Sequence, residues 1–249
     1  MRILLVNDDG IHGEGLLVLA KELAGRHDVY VCAPNREQSG MSQALSVGVP
    51  LRVSDERLDL PVKKALSVDG RPADCTKLAL EILFKDEQID MVISGINKGA
   101  NLGTDVLYSG TVGAALEGYN HNVRSLAVSV SGKAAVSFEQ IAEIIAAKLD
   151  YFYQTGEKFM YNINFPLALN SDKIEFVFTK QGFRRYENEF HTVELSDGST
   201  AYKMQGNAQD IGNDEFTDIA AVKRGCISVT PLTLERTDFA KLNKLNSLK

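Results

Sequence analysis

The stretch "RILLVNDDG" at residues 2–10 decides the fold class, because a strand-like run and a polar turn meet within it. A continuous apolar run of this length is typical of a strand that is covered on both faces. The run ends abruptly in Asn7, Asp8, Asp9 and Gly10. Two adjacent carboxylates repel one another, so their position at a strand end needs a structural or a chemical explanation.

The first 150 residues alternate between strand-like and helix-like patterns. In "GLLVLAKELAGRHD" the apolar residues Leu16, Leu19, Ala20 and Leu23 recur at helical spacing and form one face. Strands that alternate with helices favour crossover connections and a parallel sheet with helices on both faces. The pattern therefore predicts a doubly wound, mostly parallel α/β fold with a Rossmann-like core. Further strands are predicted at "VYVCAP", "DMVISG" and "SLAVSVSG", and further helices at "ADCTKLALEILF", "TVGAALEGYN" and "SFEQIAEIIAAKLDYFYQ".

The pattern changes after Pro166. "KIEFVFTKQG" is predicted to be extended, and "HTVELSDGSTAYKMQG" to be a hairpin that turns at Asp197 and Gly198. "CISVTPL" is predicted to be a return strand, and "TDFAKLNKLNSL" a terminal helix with one apolar face. We therefore expect an α/β catalytic core at residues 1–166 and an antiparallel C-terminal extension at 167–249. The extension is expected to belong to the same domain and to take part in oligomerisation.

Composition narrows the class of protein. The chain has 249 residues, 44% of them hydrophobic and 24% charged, which is enough for a full core. A net charge of −6 argues against a nucleic-acid-binding surface, which needs clustered cations. Cys32, Cys75 and Cys226 lack the paired spacing of a zinc site and are expected to be core thiols in a reducing compartment. No signal-peptide pattern and no run of ~20 apolar residues is found, so a cytoplasmic protein without a membrane span is expected.

Polar, glycine-rich segments follow three of the predicted strands. They are "NDDG", "PNREQSGMS" and "SGINKGANLGTDVLYSGTVGAALEG". In open α/β sheets, ligands bind outside the carboxyl ends of the strands. Side chains from these three loops are therefore expected to meet in one crevice.

Asp8 and Asp9 have two interpretations. One of them could cap the helix that follows, but a cap needs only a single carboxylate. The second carboxylate is better explained by a bound cation that offsets the repulsion. Hard divalent cations prefer oxygen ligands, and His12 is the only nearby histidine and is expected to be a loop residue. Mg²⁺ or Mn²⁺ therefore fits better than zinc.

The third loop is the most informative of the three segments. Four glycines lie within residues 95–110, where they would let the backbone approach a ligand closely, and Asn97 offers a neutral oxygen ligand. The helix that begins near Gly110 presents free N–H groups that could hold a phosphate, although a simple N-cap would use the same residues. The segment is neither a Walker P-loop nor a GxGxxG motif. The residues expected to bind phosphate are Asn101, Ser109, Gly110 and Thr111.

Taken together, the segments resemble the SurE family, the stationary-phase survival protein nucleotidases. The likeness rests on "NDDG", "NREQSG", "SGINKGANLG" and "YSGTVGAALEG", and it continues through "VDGRPADCTKLAL", "NINFP" and "TDIAAVKRGCISVTPL" in the expected order. Arg71 departs from the family, which commonly has Thr at this position. The resemblance implies metal-dependent hydrolysis of nucleoside monophosphates. It places the metal ligands at Asp8, Asp9, Ser39 and Asn97.

The resemblance also defines the expected mechanism and assembly. One divalent cation per subunit would polarise a phosphoryl oxygen and orient the ester, while donors at the helix start stabilise the transferred group. Asp8 and Asp9 are the expected catalytic residues, and the sequence leaves open whether either acts as base, nucleophile or only as a ligand. A homodimer or homotetramer with exchanged C-terminal elements is expected.

Two other functions fit these residues less well. A phosphatase that forms an aspartyl phosphate usually carries two Asp separated by one residue, whereas Asp8 and Asp9 are adjacent. A non-catalytic nucleotide-binding regulatory protein would not need a complete set of metal ligands. A phosphate-release assay with metal and with chelator separates these possibilities.

Overall fold

A sheet of nine strands forms the centre of the computed structural model, which describes residues 1–154, 157–169, 174–187 and 190–247. The strands within these ranges are β1 (Arg2–Val6), β2 (Asp28–Pro34), β3 (Val53–Asp55), β4 (Lys64–Val68), β5 (Met91–Lys98), β6 (Arg124–Val130), β7 (Met160–Phe165), β8 (Phe176–Phe178), β9 (Arg184–Glu187), β10 (Phe190–Glu194), β11 (Thr200–Met204), β12 (Asn207–Asp210) and β13 (Ile227–Pro231). The helices are α1 (Glu14–Ala24), α2 (Pro72–Leu78), α3 (Gly110–Asn120), α4 (Phe138–Gln154), α5 (Asp218–Lys223) and α6 (Phe239–Asn246).

The order of the strands confirms the doubly wound prediction. It runs β3-β4-β2-β1-β5-β6-β7-β13-β8, and the six strands from β4 to β7 are parallel to their neighbours. From β1 the chain first winds outward through β2 and β4, and then in the opposite direction through β5, β6 and β7. β3 and β13 pair antiparallel to their neighbours β4 and β7 at the two sides of this parallel block.

Helices cover both faces of the sheet. On one face α1 packs against α4, and on the other α2 packs against α3. The predicted apolar face of α1 is confirmed, since Leu16, Leu19, Ala20 and Leu23 are completely buried. Strands covered on both sides must be apolar along their whole length, which explains the run in β1.

Helix α1 lies unusually close to the end of β5. A Cβ atom at Gly15 would lie only 2.0 Å from the carbonyl oxygen of Ile96, so a larger residue does not fit at this position. The contact brings the beginning of α1 next to the last residues of β5. It also holds the turn between β1 and α1 at the carboxyl edge of the sheet.

Part of the C-terminal extension belongs to the central sheet. β13 pairs with β7, and β8 pairs with β13 at the edge of the sheet. The predicted hairpin is also confirmed, because β10 pairs with β11 around the turn at Asp197 and Gly198. β9 and β12 pair as well, and we call residues 184–187 and 190–210 the arm. The parts of the predicted extension at 170–173, 188–189 and 248–249 lie outside the described residues.

The cysteines and the lengths of the helices bear on two further predictions. The three cysteines carry free thiols, and Cys32 and Cys75 are buried, as predicted for core residues. None of the helices in the described ranges is both long enough and apolar enough to cross a membrane.

Candidate active site

The site lies where the winding direction of the sheet reverses. β1 has β2 on one side and β5 on the other, and Val6 is in register with Ser94 of β5. Loops that leave neighbouring strands in opposite directions open a crevice at such a switch point. Asp8 follows β1, Ser39 lies in the loop after β2, and Asn97 lies near the end of β5.

A buried asparagine shapes the turn that carries the two aspartates. The side chain of Asn7 is 1% exposed. Its Oδ1 accepts a hydrogen bond from the Gly10 N–H at 3.1 Å, and its Nδ2 donates to the Gly10 carbonyl at 2.9 Å. Gly10 has a φ of +98°, which a residue with a side chain rarely adopts. The pair Asn7 and Gly10 therefore determines the position of Asp8 and Asp9 between them.

Asp8 is buried and is held by the start of α3. Its Oδ1 accepts a hydrogen bond of 2.6 Å from the Thr111 hydroxyl, and the Thr111 backbone N–H also donates to the carboxylate. Burial raises the pKa of Asp8, and these hydrogen bonds oppose the rise only in part. The Gln38 N–H donates to the Asp8 carbonyl at 2.7 Å, which ties the loop of Ser39 to the same turn.

Asp9 is partly buried beside two other carboxylates. Its pKa is raised to about 6, first by burial and then by the charges of Asp8 and Glu37. Glu37 lies in the second loop and accepts a hydrogen bond of 2.6 Å from the Ser39 hydroxyl. Glu37 was not among the predicted site residues, although it lies within "NREQSG". A cation among these groups would remove the repulsion.

The side chain of Asn97 is oriented by a hydrogen bond within its own loop. Its Nδ2 donates to the Gly99 carbonyl at 2.7 Å, so Oδ1 is the atom left for ligation. Together with Ser39 and the two aspartates, this makes a donor set composed only of oxygen atoms, which suits a hard divalent cation. The described residues contain no group of three or more His, Cys, Asp or Glu side chains arranged to hold a metal. The predicted set is of a different type, with two carboxylates, one hydroxyl and one amide.

A cleft of about 620 Å³ brings most of the predicted residues together. Those that line it are Asp8, Ser39, Asn97, Asn101 and Ser109, whereas Asp9, Gly110 and Thr111 are not among its lining residues. The three loops therefore converge as predicted from the ends of separate strands.

The first residues of α3 contact Asp8 directly, which the sequence did not predict. Ser109 caps the helix, and its side chain accepts a hydrogen bond from the Val112 N–H at 3.1 Å. The Thr111 hydroxyl, which is expected to contact phosphate, donates a hydrogen bond to Asp8 in this structure. A Cβ atom at Gly110 would lie 2.9 Å from the Cβ of Asp8, so the small size of Gly110 accommodates this carboxylate.

Asn101 is held by a buried network of polar side chains. Its backbone N–H donates to Oδ1 of Asn164 at 2.7 Å, and its carbonyl accepts from Asn162 and Asn164. Its side-chain Nδ2 donates to the Ser129 hydroxyl at 2.8 Å. The network fixes the loop after β5 to β6 and β7, and it positions Asn101 at the wall of the cleft.

Several cleft residues were not predicted. Lys98 lines the cleft and directly follows Asn97 in "SGINKGANLG". Its position beside a candidate ligand would have been sufficient to predict that it lies at the site. Arg71, the departure from the family pattern, donates through Nη1 to the Leu45 carbonyl at 2.8 Å and so supports the loop that follows Ser39. No local sequence pattern indicates that residues of the arm line the cleft, because only the tertiary structure brings the arm there. The other unpredicted lining residues include Asp105, Tyr108, Tyr186 and Met204.

Fold and site together define a doubly wound α/β protein with an oxygen-rich cleft at its switch point. The chain belongs to the SurE family, because the family model described as "Survival protein SurE" matches residues 3–188. It is 41% identical to the "5'-nucleotidase SurE" of Natranaerobius thermophilus, over 99% of this chain and 98% of the relative. Its identity to the protein of the same name from Alkaliphilus metalliredigens is 40%, over 100% and 98% of the two chains.

A solved structure shows the same architecture. The "Crystal Structure of Sure Protein from Aquifex aeolicus" matches with a TM-score of 0.82 and 33% sequence identity. The match covers 100% of this chain and 99% of the other. The fold expected from the family resemblance is therefore confirmed.

Proposed function

We propose that this chain is a metal-dependent phosphomonoesterase that hydrolyses nucleoside 5′-monophosphates to nucleoside and phosphate. The observation that carries the proposal is the cleft, which joins Asp8, Ser39 and Asn97 beside the start of α3. The relatives named 5'-nucleotidase support both the enzyme class and the nucleotide substrate. Whether 3′ esters are also hydrolysed is tested by the phosphate-release assay described below.

The proposed cofactor is one divalent cation per subunit, Mg²⁺ or Mn²⁺, held by Asp8, Asp9, Ser39 and Asn97. The all-oxygen donor set and the carboxylate repulsion at Asp9 support this assignment. Membership of the SurE nucleotidase family is consistent with metal dependence. When bound, such a cation supplies Lewis-acid polarisation of the phosphoryl group.

The chain's own residues would bind and orient the phosphate. Backbone N–H groups at the start of α3, at Gly110, favour an anion, and Ser109 and Asn101 supply neighbouring polar groups. Lys98 lines the same cleft and adds a positive charge. Thr111 acts on Asp8 through its hydroxyl and so positions the carboxylate.

Proton transfer is assigned to the aspartate pair. Asp8 lines the cleft in a position fixed by Thr111. In the metal-free site the pKa of Asp9 is raised to about 6, first by burial, and a cation bound by its carboxylate would lower this pKa and keep the group ionised. The ionised carboxylates of the pair are then the groups that can accept a proton from an attacking water.

Phosphate release from a panel of nucleoside 5′- and 3′-monophosphates tests the proposal, with Mg²⁺, Mn²⁺ or chelator present. Asp8→Asn and Asp9→Asn should each lower kcat by about 100-fold or more, the size of a lost acid–base group. Asp86→Asn changes an exposed carboxylate before β5 and should leave kcat unchanged. Circular dichroism should show the same fold for all three variants. Metal-independent hydrolysis, or normal turnover in either site variant, would contradict the proposal.

We also propose that the chain forms a homodimer or homotetramer through the extension at 167–249, with the catalytic core at 1–166. Helix α6 supports this, because its apolar residues Phe239, Leu242 and Leu245 are 54%, 41% and 53% exposed. The β10–β11 hairpin is exposed along nearly its whole length. Apolar helix faces and bare strand edges are commonly covered by a partner chain.

A further inference from the structure

Besides the polar wall that carries the candidate metal ligands, the cleft has a second wall with aromatic and thioether side chains. Tyr108, from the loop before α3, and Tyr186, Met204 and Gly206, from the arm, line it. Tyr108 is 67% exposed and Met204 is 70% exposed, while Tyr186 is 40% exposed. A phosphate alone does not need a wall of aromatic and thioether groups, so this wall suits the rest of the substrate.

A mostly buried ion cluster fixes the base of the arm to the core. The Arg184 guanidinium donates to Asp105 at 2.9 Å and to Asp210 at 2.7 Å. Side-chain exposures of these three residues are only 15–17%. Asp105 belongs to the core and Asp210 to β12, so the arginine joins the two. A planar guanidinium that binds two carboxylates has little orientational freedom.

A second carboxylate ties the same parts together. Asp218, which is completely buried at the start of α5, accepts hydrogen bonds from the Gly103 N–H at 2.9 Å and the Gly182 N–H at 2.8 Å. Gly103 begins the turn that contains Asp105, and Gly182 lies just before β9. The arm therefore leaves the core in a defined direction.

Tyr186 takes its orientation from this cluster. Its hydroxyl lies 3.0 Å from both carboxylate oxygens of Asp105 and donates to them. Tyr186 and Arg184 are two residues apart in β9 and therefore share one face of the strand. Burial and the Asp105 charge raise the pKa of Tyr186, so the phenol remains a hydrogen-bond donor. The ring is thus held at the cleft while part of its surface stays accessible.

We infer that the arm supplies the nucleoside half of the site, with the nucleobase packed against the ring of Tyr186 and Asp105 acting as a positioning residue. The inference rests on the proposed function and names the residues that would recognise the nucleoside. A cleft of about 620 Å³ has room for a nucleotide, since pockets for small organic ligands span roughly 300–1,000 Å³. Every base has a π face, so stacking of this kind tolerates different bases. Broad base specificity is expected in consequence.

Two substrates separate the nucleoside wall from the phosphate site. Adenosine 5′-monophosphate carries a base, whereas ribose 5-phosphate has the same ester without one. Tyr186→Ala should raise KM for the nucleotide about tenfold, equivalent to ~1.4 kcal/mol and within the range for base stacking. KM for ribose 5-phosphate should change less than about twofold, because no stacking partner is lost. Tyr202→Ala, an exposed arm residue outside the cleft lining, is the matched control and should change neither value.

Two more variants test the roles of the ring and of Asp105. Tyr186→Phe keeps the ring and should raise KM for the nucleotide less than Tyr186→Ala does. Asp105→Asn should raise KM for the nucleotide while kcat for ribose 5-phosphate is retained, a split that a general loss of structure would not produce. Equal effects of Tyr186→Ala on both substrates would overturn the inference alone. A wild-type protein that hydrolyses neither substrate would overturn the proposed function and the inference with it.

Discussion

The hydroxyl of Thr111 donates a 2.6 Å hydrogen bond to Oδ1 of Asp8, although 103 positions of the chain separate the two residues. Both side chains are buried, at 0% and 6% exposure. The bond connects the first turn of α3 to the turn after β1. Helix and carboxylate are therefore positioned as one unit, and the start of α3 determines where Asp8 meets the cleft.

Replacing Thr111 by Val should weaken both stability and activity. Valine keeps the shape of the side chain but leaves the buried Asp8 without its hydroxyl donor. The free energy of unfolding should fall by about 1.5–3 kcal/mol, the usual value of a hydrogen bond to a charged group, as measured by urea denaturation. Thr111→Ser retains the donor and should recover most of the loss. Equal stability of the Val and Ser variants would show that the hydroxyl does not support Asp8.

Replacing Gly110 by Ala should displace Asp8. A Cβ atom there would lie 2.9 Å from the Cβ of Asp8 and 3.2 Å from Cγ of Pro72, so one of the neighbours must move. A shift of about 1 Å at a reacting group can cost 100-fold in rate, so kcat should fall by at least tenfold. Gly25→Ala is the matched control, since its added Cβ would meet only the Glu22 carbonyl, at 3.9 Å. Normal kcat in Gly110→Ala would mean that the position of Asp8 is not critical.

Changes at Asn97 should alter the metal requirement. Asn97→Ala removes the proposed oxygen ligand and should raise the metal concentration for half-maximal activity by about tenfold or more. Asn97→Asp adds a negative charge, which should strengthen metal binding but slow hydrolysis, because it repels the phosphate. Asn120→Ala, at an exposed position of α3, should leave the metal titration unchanged. An unaltered titration for Asn97→Ala would argue against ligation by this residue.

The metal-free protein should become more stable when Asp9 is replaced by Asn. The pKa of Asp9 is raised to about 6 from 3.8, so the folded state holds this proton more tightly than the unfolded state does. Above pH 6 the ionised carboxylate, which is partly buried and repelled by Asp8 and Glu37, destabilises the fold, and this penalty disappears as the pH falls toward 4. Thermal unfolding in chelator should therefore show a higher Tm for Asp9→Asn at pH 7.5 and a vanishing difference near pH 4. A difference that grows toward low pH would contradict the assigned cause.

Removal of the C-terminal helix should weaken the oligomer. Deletion of residues 234–249 removes the exposed apolar face of α6, and Leu242→Asp places a charge in its middle. Light scattering should show a dimer or tetramer of the wild type at low micromolar concentration, and smaller species for both variants. Lys244→Gln, on the same helix, is the control and should retain the assembly. A stable and active wild-type monomer would rule out the proposed assembly and leave the metal site unaffected.

Local patterns in the sequence were sufficient for the central fold and for the convergence of the site loops. The apolar run before Asp8, and the helical spacing of Leu16, Leu19 and Leu23, predicted β1 and α1 because periodicity reports directly on burial. The alternation of strands and helices predicted the parallel sheet. Because parallel strands end at one edge, it also predicted that Asp8, Asn97 and their neighbours would meet. The strands β3, β4, β7, β9 and β12 were not predicted, because each has at most six residues and is interrupted by polar ones.

Pairing between distant segments was decided only by the tertiary structure. Nothing local in the sequence indicates that β13 pairs with β7, that the Thr111 hydroxyl donates to Asp8, or that Tyr186 reaches the cleft. Each of these contacts forms only when segments that are distant in the sequence pack together in the folded chain. The sequence by itself determined which residues could bind a cation and at which edge of the sheet they lie. The packed structure decided which of them are held by hydrogen bonds, and which distant side chains complete the site, because those contacts join residues that are far apart in the chain.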